Sequence, residues 1–278
     1  MTPYEGDVRA MREPPVALAL LLVSLLASLC WAGMALGGLL PAAAPYTATG
    51  AATSAATGAA AGATAAIPVA APGIAWHVAR LVLAFLTWAV VCTALMLPLA
   101  SRAAVLFARL AGEQAAQRAR ARTVRFVLGY LGAWTGFALL AAIVHCVLYE
   151  SGPAGAFPSI LRHPALVGLT LVAAGIYQWT PAKHACLAHC RAPLTGILAG
   201  WRDGGAGALG RGAAHAVECL GCCWLLMLVL LAAGPDNPAA VALVGLLVLA
   251  EIRLAAGHWV ACTGGLALLA TGTWLLFP

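Results

Sequence analysis

The chain has 278 residues, of which 63% are hydrophobic and 9% charged, with a formal net charge of +6. A soluble domain carries about 25% charged residues, so this composition excludes an ordinary soluble enzyme or carrier and points to an integral membrane protein. The excess of basic residues calls for no nucleic acid: membrane topology and anionic lipid account for it.

Apolar runs long enough to cross about 30 Å of hydrocarbon must be helices, because each backbone polar group has to be satisfied within its own segment. Seven such runs occur, at about residues 15–38, 76–100, 124–148, 164–182, 214–234, 238–255 and 258–277. The expected fold is therefore all-α: a polytopic transmembrane bundle of seven helices, or six if the short sixth run forms a re-entrant hairpin with the seventh. Arg9 and Arg12 precede the first run, as in a signal peptide, but its length favours a retained helix. Residues 1–40 thus make an N-terminal segment with one helix, 41–75 an external loop and 76–278 the main membrane domain.

The loop is low in complexity: residues 41–73 contain no charge and mix Ala with Gly, Thr, Ser and Pro. Few large apolar side chains are present to bury, which suits a spacer or a partner-docking segment. The next connection holds Arg102, Arg109, Arg118, Arg120, Arg122 and Arg125; the one after the fourth run holds Lys183, Arg191, Arg202 and Arg211. With Arg9, Arg12 and Arg253, thirteen of the fifteen basic residues fall on one side, leaving Arg80 and Arg162 opposite. By the positive-inside rule the N-terminus is cytoplasmic and the expected location is a bacterial inner membrane.

That basic side also carries most of the thiols. Five of nine cysteines lie within residues 186–223, at the loop TPAKHACLAHCRAPL and in the run ECLGCCWLLM. On a helix, His215, Cys219, Cys222 and Cys223 share an arc of about 100°, with Met227 beside it. Cys186 and Cys190 are four apart and share a face, with His189 adjacent. Thiolate with imidazole suits Cu(I) or Zn(II), so Cys186, His189, Cys190, His215, Cys219, Cys222 and Cys223 form the candidate metal set. The isolated Cys30, Cys92, Cys146 and Cys262 read as small packing residues within apolar helices. Glu218 is placed to pair with Arg211 or Lys183, Asp203 to shape a turn, and Glu251 and Arg253 to snorkel from a helix end. Neither a Gly-rich phosphate loop, a Ser-His-Asp order nor a His-Glu-x-x-His motif occurs, so an enzyme is not expected.

Residues 177–227, with the Thr-Pro pair, the two Cys with His, Trp-Arg-Asp and Cys-Leu-Gly-Cys-Cys-Trp in order, resemble a family of bacterial integral membrane proteins described only as predicted metal-binding. FLTWAVVCTALMLPL at 85–99 resembles that family's second motif, and the likeness covers about residues 76–277. It implies Cys186, His189, Cys190, Cys219, Cys222 and Cys223 as ligands. The Met-rich helix typical of the family has Val90, Val91 and Cys92 here, with Met96 alone. Three functions fit the sequence: soft-metal handling or metal stapling through the Cys/His cluster, an accessory or scaffold subunit of a larger membrane complex, and a thiol-disulfide oxidoreductase using Cys219 and Cys222.

Overall fold

The computed structural model describes residues 14–36, 74–111, 116–150, 164–199, 201–235 and 237–277. The loop at 41–73, Arg9, Arg12 and Arg162, and the side chain of Cys30 lie outside the described residues. Within them every regular element is a helix: α1 (Pro14–Leu36), α2 (Ile74–Ala111), α3 (Ala116–Glu150), α4 (Pro164–Tyr177), α5 (Pro181–Arg191), α6 (Pro193–Ala199), α7 (Gly204–Ala233), α8 (Pro238–Arg253) and α9 (Gly257–Leu276). Leu128, Leu140, Leu246 and Trp274 are among many large apolar side chains left exposed. An apolar outer surface is what lipid requires, and the chain is a multi-pass membrane protein.

Helices stand at all seven expected places, yet the spans are less uniform than the apolar runs suggest. His77–Ala111, Arg118–Leu148, Gly204–Ala233 and Gly257–Leu276 are each long and apolar enough to cross by themselves. The fourth run is not straight: α4 and α5 meet at a 70° bend. Pro181 has no N–H to continue a helix and pushes Thr180 into extended backbone (φ −76°, ψ 145°), so Thr180 ends one segment and caps the next. Its hydroxyl donates to the Tyr177 carbonyl at 2.8 Å and accepts the Lys183 N–H at 3.3 Å, which satisfies one backbone group on each side of the break. α8 has only 16 residues, about 24 Å of helix, short of a full crossing.

α7 is the axis of the molecule, packed against α3, α4, α5 and α8. It begins ten residues before the apolar run does. Residues 204–213 are rich in Gly, a poor helix former on its own, but the small residues let α7 approach α3 closely: a Cβ on Gly212 would stand 1.9 Å from the Phe126 carbonyl oxygen, and one on Gly129 2.0 Å from that of Leu209. Small residues also join α4 to α9, antiparallel, with Gly168 against Gly272 and Gly175 against Gly265. In α2, Pro98 leaves the Ala94 carbonyl without its helical donor, and the Ser24 hydroxyl of α1 supplies one at 2.9 Å.

One end of the bundle gathers the basic side chains. Arg253 of α8 binds the Pro98 carbonyl and the Ser101 hydroxyl of α2, the latter at 2.8 Å. Arg122 of α3 lies 4.9 Å over Trp201 and 3.5 Å from Asp203, the residue that precedes α7. Arg191 of α5 donates to the carbonyls of Glu251 at 2.9 Å and Ala255 at 3.1 Å, closing the C-terminal turn of α8. Glu251 departs from the snorkelling expected of it. It is fully buried, bonded to Lys183 Nζ and to Gln178 Nε2 at 2.7 Å each, because the bend swings Lys183 inward onto α8.

Candidate metal centre

The bend at residues 178–180 lays α5 across α7, and this crossing brings the thiols together. From α5, the buried Cys190 sulfur lies 3.3 Å from that of Cys219 and 3.9 Å from that of Cys222. Cys222 and Cys223 each donate their S–H to the Cys219 carbonyl, at 3.0 and 3.2 Å. The Cys190 sulfur of α5 thus meets two sulfurs of α7, those of Cys219 and Cys222, while Cys223 sits one position round in the same wall.

His215 stands one helical turn before Cys219, its Nε2 3.8 Å from that sulfur. Phe126 and Tyr130 of α3 hold the ring from the other side, with centroids at 6.2 and 5.8 Å. Its Nδ1 faces Glu218 at 3.4 Å, and Glu218 is paired with Arg211 at 2.6 Å, the first of the two partners the sequence offers it. A carboxylate on the far nitrogen fixes the imidazole's tautomer and its orientation toward the thiols, as carboxylates behind ligand histidines do at metal sites.

The remaining two residues of the expected set stand apart from this core. Cys186 is half-buried and lies against Gly221, where an added Cβ would be 2.8 Å from its sulfur. Tyr177 donates its hydroxyl to the Gly221 carbonyl, so α4, α5 and α7 touch at this one small residue. His189 lies on the exposed face of α5, its Nδ1 2.8 Å from the Ala185 carbonyl. The thiols are also deeper than the sequence suggests. Because α7 starts at Gly204, Cys219 lies about 22 Å along a helix of about 45 Å, near its middle and not at its mouth.

A second group of donors was not read from the sequence. His184 of α5 and His258 and Cys262 of α9 have ligand atoms all within 4.8 Å of one another, and His184 and Cys262 are half-buried. Cys262 thus faces two imidazoles where a packing residue was expected. The available signal was its spacing: His258-x3-Cys262 repeats His215-x3-Cys219, but it lies within the last apolar run and its partner His184 is distant in sequence.

Residues 85–275 match the family PpoB2, described as a copper chaperone, and the chain belongs to that family. Copper thereby replaces the general metal-binding description of the resemblance noted above. No curated protein and no solved structure matches the chain.

Proposed function

We propose that this member of the copper chaperone family holds Cu(I) as cargo between α5 and α7 and passes it on without catalysing a reaction. The observation that carries this reading is the approach of Cys190 on α5 to both Cys219 and Cys222 on α7, with His215 at the edge. Sulfurs sharing a tetrahedral ion at about 2.3 Å are about 3.8 Å apart, so the Cys190–Cys222 spacing already fits, Cys190–Cys219 would open by about half an ångström, and the Cys219 and Cys222 sulfurs would draw together on binding. Soft thiolates favour Cu(I), and Zn(II) accepts the same donors with imidazole, so copper as cargo rests on the family as well as on the chemistry.

Cys186 supplies a path in. It is partly exposed, four residues from Cys190 on the same helical face, and beside the Gly221 notch. An ion taken by Cys186 reaches Cys190 one turn further in. The buried thiols themselves are poorly placed for exchange with a protein partner, which needs direct access to a sulfur, and this disfavours the oxidoreductase reading. The basic end faces the cytoplasm of a bacterial inner membrane, where thiols stay reduced as copper binding requires.

The test is anaerobic Cu(I) titration of the purified full chain against a competing chelator. Cys190→Ser and Cys219→Ser, on different helices, should each abolish the tight thiol-bound ion, and Cys92→Ser should not. Unchanged binding in both cluster variants would refute the site.

A further inference from the structure

The chemistry of the α5–α9 corner goes beyond a single buried site. Around the bend, α5 presents its residues to three different neighbours. Lys183 and Cys190 face inward to α8 and α7, whereas His184 meets α9, its ring 4.6 Å from that of His258. His258 stands at the start of α9 and Cys262 one turn later, with Nε2 and the sulfur 3.8 Å apart. The corner is held in place: Trp179 donates its indole N–H to the Cys262 carbonyl at 3.1 Å, and Trp259 sets its edge to the His258 ring at 5.9 Å. Trp179 itself packs on Gly265, whose lack of a side chain lets the bend approach α9.

We propose that His184, His258 and Cys262 form a second copper site, open to the surface, through which the protein exchanges its cargo. The inference rests on the copper reading above, but its residues are separate from the thiol cluster. His184 and Cys190 are about 9 Å apart along α5 and about 120° apart around it, so one ion cannot serve both. Two imidazoles and a thiolate on one ion at about 2.0–2.3 Å stand about 3.3–3.6 Å from one another; here His258 Nε2 and the Cys262 sulfur are 3.8 Å apart and all three ligand atoms lie within 4.8 Å, so a small inward shift would close the site. Two imidazoles and a thiolate also make a recognised copper ligand set. Three protein ligands leave a fourth position, and with His258 exposed that position faces outward, where a thiol or imidazole of a copper-carrying partner can enter. The buried sulfurs lack such an opening. The corner therefore exchanges ions with a partner, Cys186 leads inward, and the thiols retain.

Counting bound Cu(I) separates the two sites. The full-length parent in detergent, kept anaerobic, should bind about two Cu(I) per chain, and a water-soluble Cu(I) chelator should remove one of them in a fast phase. His258→Gln and Cys262→Ser, at exposed and half-buried positions, should fold as the parent does by circular dichroism, bind one ion and lack the fast phase. Cys219→Ser should also bind one ion, and that one should leave fast. A parent that binds a single ion lost only in Cys219→Ser would overturn the second site and leave the thiol reading standing. An ion lost only in His258→Gln and Cys262→Ser would support the corner and refute the buried thiols. Two ions retained in His258→Gln and in Cys262→Ser would overturn the inference outright.

Discussion

The inward and outward sides of α5 carry similar donors in opposite settings. Inward, Lys183 and Cys190 are buried among Glu251, Cys219 and Cys222; outward, His184 meets the exposed His258 at a corner braced by two tryptophans. The inward donors share their neighbours with the bundle's core, so removing a buried charge there without its partner costs stability. The outward ones stand where substitution costs little. The bend after Tyr177 does two things at once: it delivers a cysteine to the centre of the bundle and leaves a histidine near its surface.

The strongest way to break this comparison is at Lys183. Lys183→Met would leave the Glu251 carboxylate buried without its charge partner, with an expected loss of about 3–5 kcal/mol in stability. Lys183→Met combined with Glu251→Leu should recover most of it. His258→Gln, outward, should stay within about 0.5 kcal/mol of the parent. Denaturant unfolding in detergent checks all three; a mild Lys183→Met would show that the inward side is not integral to the fold.

Next in size is the α3–α7 contact that positions His215. Gly129→Val or Gly212→Val would drive a side chain into the facing backbone, and a loss of about 1–3 kcal/mol is expected, with weakened copper binding. Gly132, with nothing near its would-be Cβ, is the control on the same helix: Gly132→Ala should be neutral or stabilising by about 0.5–1 kcal/mol. Equal effects at Gly129 and Gly132 would contradict the close approach.

Smaller still is the Gly221 notch on the way inward. Gly221→Ala would press on the Cys186 sulfur, which can yield, so stability should fall by no more than about 1 kcal/mol. Copper should still bind but load into the thiols several-fold more slowly. Loading at the parent rate, measured by stopped-flow transfer from a chelator, would remove Cys186 from the path.

Much of the bundle was legible in the apolar runs, because lipid demands helices of known length. The start of α7 was not, since residues 204–213 are helical through packing against α3 and carry no run of large apolar side chains. The Trp-Thr-Pro break was visible as a stop signal, yet the apolar run continues to residue 182 and the expected span was drawn through it. The thiol-bearing residues could be named from spacing, since Cys219, Cys222 and His215 share a helical face. Their meeting with Cys190, and the pairing of Lys183 with Glu251, depend on how separate helices rotate about one another, which periodicity within one helix does not report. The same holds for His184 and Cys262.

Sulfur from two helices holds the cargo. X-ray absorption of the Cu(I)-loaded Cys262→Ser protein tests it most directly, because that change removes the outward site and leaves the inward one. The expected spectrum is dominated by two or three sulfur scatterers at about 2.3 Å, falling in number when Cys190→Ser is added. A copper shell made only of nitrogen and oxygen, or one unchanged by Cys190→Ser, would contradict it.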